Sequence, residues 1–195
     1  MSKQLYIIAG CNGAGKTTAS FTILPEILGC KEFINADEIA KGLSPFQPES
    51  VAVQAGRIML ARMDELLQKG ETFAFETTLA TKSYKQKIEW AQANGYEVTL
   101  LFFWLDSPNM AKKRVAQRVA EGGHSIPSET IERRYYNGIA NLFAIYIDMV
   151  DICYIFDNSE GRKELIAQKE RHKDIVIYNN DKFNLMKNND ERGNN

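Results

Sequence analysis

Residues 10–17 read G-C-N-G-A-G-K-T and satisfy G-x-x-x-x-G-K-[ST], directly after the apolar run "QLYIIAG" and before a helical pattern that starts at Lys16. That context restricts the chain to folds in which a buried strand turns, through a glycine-rich loop, into the N-terminus of a helix. Glycines at 10, 13 and 15 let the backbone turn tightly and approach a ligand closely. Successive N–H groups then point inward, where phosphate oxygens satisfy them. Gly10, Asn12, Gly13, Ala14, Gly15, Lys16, Thr17 and Thr18 are therefore the expected set for a nucleoside triphosphate. Lys16 offers a point charge to the terminal phosphates, Thr17 a hydroxyl to magnesium, and Thr18 a second hydroxyl on the α-phosphate side.

Four further apolar runs, "EFINAD", "TFAFETT", "VTLLFFWLD" and "ICYIFDNS", alternate with amphipathic stretches expected to be helical at 16–27, 48–69, 83–94, 109–121 and 128–149. Apolar runs with little alternation, separated by helices, indicate buried parallel strands and an α/β fold. The clearest helix opens on Pro48 and Glu49 and carries Val51, Ala55, Ile58, Met59, Arg62 and Leu66 at near-helical spacing. Near the end, "DIVIY" reads as a sixth strand. The Asn-rich, charged stretch after it has few apolar anchors and reads as a flexible tail. The expected organisation is one domain over 1–178 and a tail over 179–195.

Composition removes several function classes. With 24 basic and 25 acidic residues the net charge is -1, so no global positive field draws in nucleic acid. Cys11, Cys30 and Cys153 match neither a disulfide framework nor a C-x-x-C metal pattern, which suits a reducing compartment. The apolar start is too short for a signal peptide, and no run of about 18 apolar residues follows it, so a cytoplasmic protein without a membrane segment is expected.

Four of the five apolar runs end in polar residues: Asn35 to Asp37, Glu76 to Thr78, Asp106, and Asp157 to Ser159. In open α/β sheets ligands bind outside the carboxyl ends of the strands, so these residues are candidates for one site. A GTPase would need N-K-x-D where "IFDNSEG" stands, and a transporter ATPase would need L-S-G-G-Q, which "GLSPFQP" is not. What remains fits phosphoryl transfer, which needs a phosphate cradle, a metal, a carboxylate for the acceptor hydroxyl and cations for transition-state charge. Asp37 is the expected base, although an Asp there also suits a helix cap. Glu76 is expected at a magnesium water or at the acceptor, with Thr77 beside it. Arg118, one helical turn after Arg114, is expected on the transferring phosphoryl group. Arg133 joins it as a catalytic cation and Arg134 as a substrate contact, a division the sequence scarcely decides. His124, in the short glycine-hinged lid "EGGHSIP", is a further substrate contact or a decoration of that lid.

The ordered set "GCNGAGKTT", "INADEIAKGLSP", "FAFETTLA", "RVAEGGHSIPSETIERRY" and "IFDNS" resembles the zeta toxin family of phosphate-loop kinases over about residues 4–160. The resemblance implies a three-layer, adenylate-kinase-like core with a mostly parallel sheet, and transfer of the ATP γ-phosphate to a small-molecule hydroxyl. In the toxins proper that hydroxyl belongs to a nucleotide-linked amino sugar. It also implies ATP and Mg2+ as cofactors, Asp37 as base, and an antitoxin protein as partner. The rival expectation is a nucleotide-gated interaction protein, or an antitoxin-controlled component, without independent kinase activity.

Overall fold

The computed structural model describes residues 3–123 and 125–193. Strand β1 (Lys3–Gly10) leads into the glycine-rich loop and is buried from Leu5 through Gly10. Burial at successive rather than alternate positions means that both faces of the sheet are covered, as parallel strands require. β4 (Tyr96–Trp104) repeats the pattern, with Glu97 alone exposed. The remaining strands are β2 (Glu32–Ile34), β3 (Phe73–Thr77), β5 (Ile152–Asp157), β6 (Glu164–Glu170) and β7 (Val176–Ile177). They form one sheet in the order β2-β3-β1-β4-β5-β6-β7. The first five are parallel, and β6 and β7 extend the sheet antiparallel. β1 therefore sits centrally, with Ile8 opposite Glu76 of β3 on one side and Leu101 of β4 on the other.

Helix α1 (Lys16–Thr22) continues through a wider turn over Ile23–Ile27. α2 (Ala36–Leu43) follows β2 within two residues, and α3 (Ala52–Lys69) is entered through a tight turn at Pro48–Val51. α3 buries Ala55, Met59, Met63, Leu66 and Leu67, a stripe at helical spacing, and stops at Gly70 in the left-handed conformation. α4 (Lys85–Ala93) and α5 (Pro108–Ala120) flank β4, the second opened by Ser107, whose hydroxyl accepts from the Met110 N–H. α6 (Ser128–Asn141) runs on through Leu142–Tyr146 into α7 (Ile147–Met149).

The C-terminal region departs from the sequence expectation twice. "DIVIY" contributes only the two residues of β7, while the stretch before it forms β6. An antiparallel partner of β5 can leave one face polar, so E-L-I-A-Q-K-E lacks the apolar run that marks a buried parallel strand. The stretch expected to be a flexible tail is helix α8 (Asn180–Gly193), packed on α6. Phe183, Met186 and Asn189 are buried along it, three residues apart. Three anchors on one helical face suffice here, and the Asn and charged residues between them hide the pattern from a composition reading.

Candidate active site

The loop after β1 is shaped by its surroundings as well as by any ligand. Gly10 has φ 140°, and a Cβ there would lie 2.2 Å from the Phe103 carbonyl oxygen. Gly15 starts α1 with φ 80° and ψ 21° and has no side chain to cap it. A Cβ at Gly15 would meet Asn158 Nδ2 at 2.6 Å, and that same amide donates to the Ala14 carbonyl at 2.9 Å. The segment after β5 thus clamps the loop from outside.

Lys16 is buried, donates from Nζ to the Cys11 carbonyl at 3.0 Å, and lies 3.5 Å from Glu76 Oε1. Thr17 Oγ1 donates to Glu76 Oε2 at 2.8 Å, and Asn35 Nδ2 donates to the same oxygen at 3.0 Å. Glu76 therefore gathers the loop lysine, the loop hydroxyl and the end of β2 at one carboxylate. Asn35 also caps α2, its Oδ1 accepting from the Asp37 N–H at 2.8 Å. The helix-cap role open to Asp37 in the sequence is filled by Asn35, and Asp37 lies in the first turn of α2, facing the site.

Two cavities of about 190 Å³ each meet at Asn12, Lys16, Asp37 and Glu76. The first is completed by Gly13, Gly15, Thr17, exposed Thr18, Arg114 and Arg118. The second is hydroxyl-rich, lined by Thr77, Thr78, Thr81 and Tyr84, with Arg134 at its rim. A further hollow of about 250 Å³ between α3 and α4 contains none of these residues.

Arg118 is decisive electrostatically. Its Nε and Nη2 are buried and, among the described residues, have no hydrogen-bond partner. Arg118 as a whole is half-buried, and leaving buried donor atoms unpaired is unfavourable, so it presents them to an anion in the first cavity. Arg114 instead spends Nη2 on the Asn158 and Ser159 carbonyls at 2.8 and 2.9 Å, which fastens α5 to the clamp. Of the tandem arginines, Arg134 donates to Asn12 Oδ1 at 3.2 Å and lines the second cavity. Arg133, expected on the phosphoryl group, is exposed and lines neither cavity. On a helix, successive residues point about 100° apart, so only one of the pair can face the loop. His124 lies outside the described residues.

One feature had no sequence signal to single it out. Leu79 is fully buried with φ 59°, a left-handed conformation that costs a non-glycine residue about 1–3 kcal/mol. Its N–H is held by Thr77 Oγ1 and its carbonyl by buried Asn141, which fixes Thr77 and Thr78 on the second cavity. Asp157, a site candidate from the end of the fifth apolar run, is held instead in an ion pair with the C-terminal helix. Burial would raise its carboxyl, but Lys182 at 2.6 Å and two bonds from Ser159 outweigh burial and hold it below its ordinary value. Lys182 belongs to α8, so the C-terminal helix is tied to the segment that clamps the phosphate loop.

Thr17 and Glu76 are hard oxygen donors at the end of the loop, a pair suited to Mg2+, which keeps several waters and takes few protein ligands. Among the described residues no group of three or more His, Cys, Asp or Glu could form an all-protein metal cage. None of the described helices is long and apolar enough to cross a membrane.

The sequence profile of the zeta toxin family matches residues 1–183. The chain belongs to that family. An uncharacterized protein of Haemophilus influenzae is 27% identical over 135 residues, 69% of this chain and 94% of that protein. Among solved structures, a chain of the AvrRxo1-ORF1:AvrRxo1-ORF2 complex with sulphate ions superposes with a TM-score of 0.74 at 15% identity, over 95% of this chain. This zeta toxin family member spans only 63% of that chain. The same complex, also solved with ATP, superposes with a TM-score of 0.73. A chain of the PezAT chromosomal toxin-antitoxin system of Streptococcus pneumoniae gives 0.68 at 16% identity, over 99% of this chain and 86% of that one. The shared fold is that of phosphate-loop kinases, with the mostly parallel sheet expected from the sequence.

Proposed function

We propose that this zeta toxin family member is an ATP-dependent kinase that transfers the γ-phosphate to a hydroxyl of a small molecule. The observation that carries the reading is the junction of the two cavities at Lys16, Asp37 and Glu76. One cavity is bounded by the phosphate loop and an arginine with two donor atoms unpaired among the described residues, the other by hydroxyls, and a carboxylate stands between them. A nucleotide-gated binding module needs the first cavity but has no use for the second, or for a base at the junction.

In this reading the loop N–H groups and Lys16 hold the triphosphate in the first cavity. Thr17 and, through water, Glu76 would hold Mg2+, which when bound neutralises charge on the β- and γ-phosphates. The acceptor lies in the second cavity with its hydroxyl hydrogen-bonded to Asp37. Its oxygen attacks the γ-phosphorus, the bond from that phosphorus to the β–γ bridging oxygen breaks, ADP leaves, and the proton passes to Asp37. Arg118 meets the charge that spreads over the transferring group, and Arg134, not Arg133, is the tandem arginine that assists from the acceptor side. Thr77 and Thr78 orient the acceptor.

Because the structural relatives include a toxin–antitoxin system, an antitoxin-like protein is proposed as a partner that restrains this activity. The chain is incubated with γ-labelled ATP, magnesium and a metabolite extract, and labelled products are resolved. A labelled small molecule other than inorganic phosphate is expected. Bound ATP with no labelled product beyond phosphate would leave a nucleotide-binding module in place of a kinase.

A further inference from the structure

One face of α6 touches both halves of the site. Arg134, Gly138 and Asn141 stand four and three residues apart, so they form a single row along the helix. Arg134 donates to Asn12 Oδ1 of the phosphate loop at 3.2 Å, and buried Asn141 donates from Nδ2 to the Leu79 carbonyl at 2.9 Å. Between them, a Cβ on Gly138 would lie 2.7 Å from the Thr78 carbonyl oxygen, so the helix and the turn after β3 are in direct contact. Farther along, Tyr146 Oη donates to the Thr81 carbonyl at 2.9 Å. α6 is itself pinned to the sheet, because Tyr135 Oη donates to the Leu105 carbonyl at 2.8 Å and accepts from Trp104 Nε1 at 3.1 Å.

These contacts take up backbone groups of the turn, while Thr77, Thr78 and Thr81 line the acceptor cavity. Leu79 holds φ 59°, and a left-handed leucine persists only where its surroundings over-determine it. Of the bonds to Leu79, the one from its N–H to Thr77 Oγ1 is local to the turn, and the one from Asn141 ties the turn to α6. Without that amide the buried carbonyl loses its partner, and rotation of Leu79 to an ordinary φ relieves the strain by turning Thr77 and Thr78 relative to Thr81. We propose that Asn141 is a positioning residue for the acceptor: through Leu79 it sets the turn that presents Thr77 and Thr78, and the α6 row fixes that turn against the arginine that meets the phosphate loop. This rests on the kinase reading, because the threonines orient whatever accepts the phosphoryl group.

Asn141→Leu keeps the side-chain size and removes the donor. Gly138→Ala strikes the same turn from the neighbouring position, with a residue that favours the helix. Each variant is given saturating γ-labelled ATP and magnesium with a dilution series of deproteinised metabolite extract, and the initial rate of labelling is followed against extract concentration. The concentration at half-maximal rate is expected to rise about tenfold in both variants, while calorimetric affinity for a non-hydrolysable ATP analogue stays within about twofold. A smaller folded fraction lowers the plateau and leaves the half-maximal concentration where it was, so the split separates positioning from stability. Hydrogen exchange of the Leu79, Ala80 and Thr81 amides, which needs no acceptor, should quicken about tenfold in ligand-free Asn141→Leu. An unchanged half-maximal concentration, weakened analogue binding or unchanged exchange would each overturn the proposal. Absence of labelled product from the wild-type protein would instead remove the kinase reading beneath it, and the exchange rates would still decide whether Asn141 holds the turn.

Discussion

Arg118 and Asp37 separate what the site costs from what it does. Arg118 holds two buried donor atoms without a partner among the described residues, so the ligand-free protein carries an electrostatic penalty at that position. Arg118→Met is expected to leave the melting temperature of the ligand-free protein unchanged or raise it, because an apolar side chain of similar length removes the penalty. Turnover should nevertheless fall at least tenfold with ATP affinity nearly unchanged, the signature of a group that meets charge in the transition state. Weaker ATP binding with normal turnover at saturation would assign Arg118 to the ground state. Asp37→Asn keeps shape and removes the proton acceptor. Transfer should drop by about 10²–10⁴-fold, the scale of general-base catalysis, in a single-turnover measurement. ATP affinity by calorimetry should survive, since Lys16 and the loop hold the phosphates. Transfer near the wild-type rate would move the base role to Glu76.

At the scale of elements, α8 is the piece that composition concealed and that the fold uses. Its Lys182 pairs with Asp157 and Glu164, and Phe183 and Met186 are buried. The Asp157 carboxyl is held below its ordinary value and the Lys182 ammonium is raised above its own. The carboxylate contribution is therefore present above pH about 4 and lost as pH falls through the lowered value. The ammonium contribution is present up to pH about 10 and lost as pH rises through the raised value. Lys182→Met is expected to cost about 1–2 kcal/mol near neutrality, less than a fully buried pair because Lys182 is partly exposed, or about 2–8 °C in melting temperature. The gap from wild type should close below pH 4; a gap independent of pH would make the pair incidental. The central elements were legible because each obeys one strong rule. β1 and β4 are continuous apolar runs, α3 is a clean stripe, and the loop carries a spacing that only a phosphate cradle requires. β6 and α8 were hidden because an antiparallel edge and a thinly anchored helix depend on what they pack against. Arg134 was undecided for a similar reason, since its facing follows from how α6 lies beside Asn12, and no local pattern encodes that angle.

For the whole molecule, the question is how one end of the sheet can serve two ligands and still be coherent. β1, β2 and β3 deliver the loop, Asn35 and Glu76 to the same end of the sheet, and these groups are cross-linked before any ligand arrives. Asn158 and Arg114 extend the network to β5 and α5, and Lys182 extends it to α8. A triphosphate that binds only the folded chain should therefore stabilise it as a single cooperative unit. At a concentration one hundred times its dissociation constant, linkage gives about 2.7 kcal/mol, or about 5–11 °C for a chain of this size. Lys16→Ala removes a charge from the β- and γ-phosphates, where charge-assisted contacts contribute about 1.5–3 kcal/mol, so affinity should fall at least tenfold. At the same ATP concentration the variant would gain only about 1.4 kcal/mol, roughly half the wild-type stabilisation. Differential scanning calorimetry with and without ATP and magnesium reads this directly. One transition that moves upward in wild type, and moves about half as far in Lys16→Ala, is the expected result. Equal shifts in the two proteins would mean that ATP stabilises the fold from somewhere other than the glycine-rich loop.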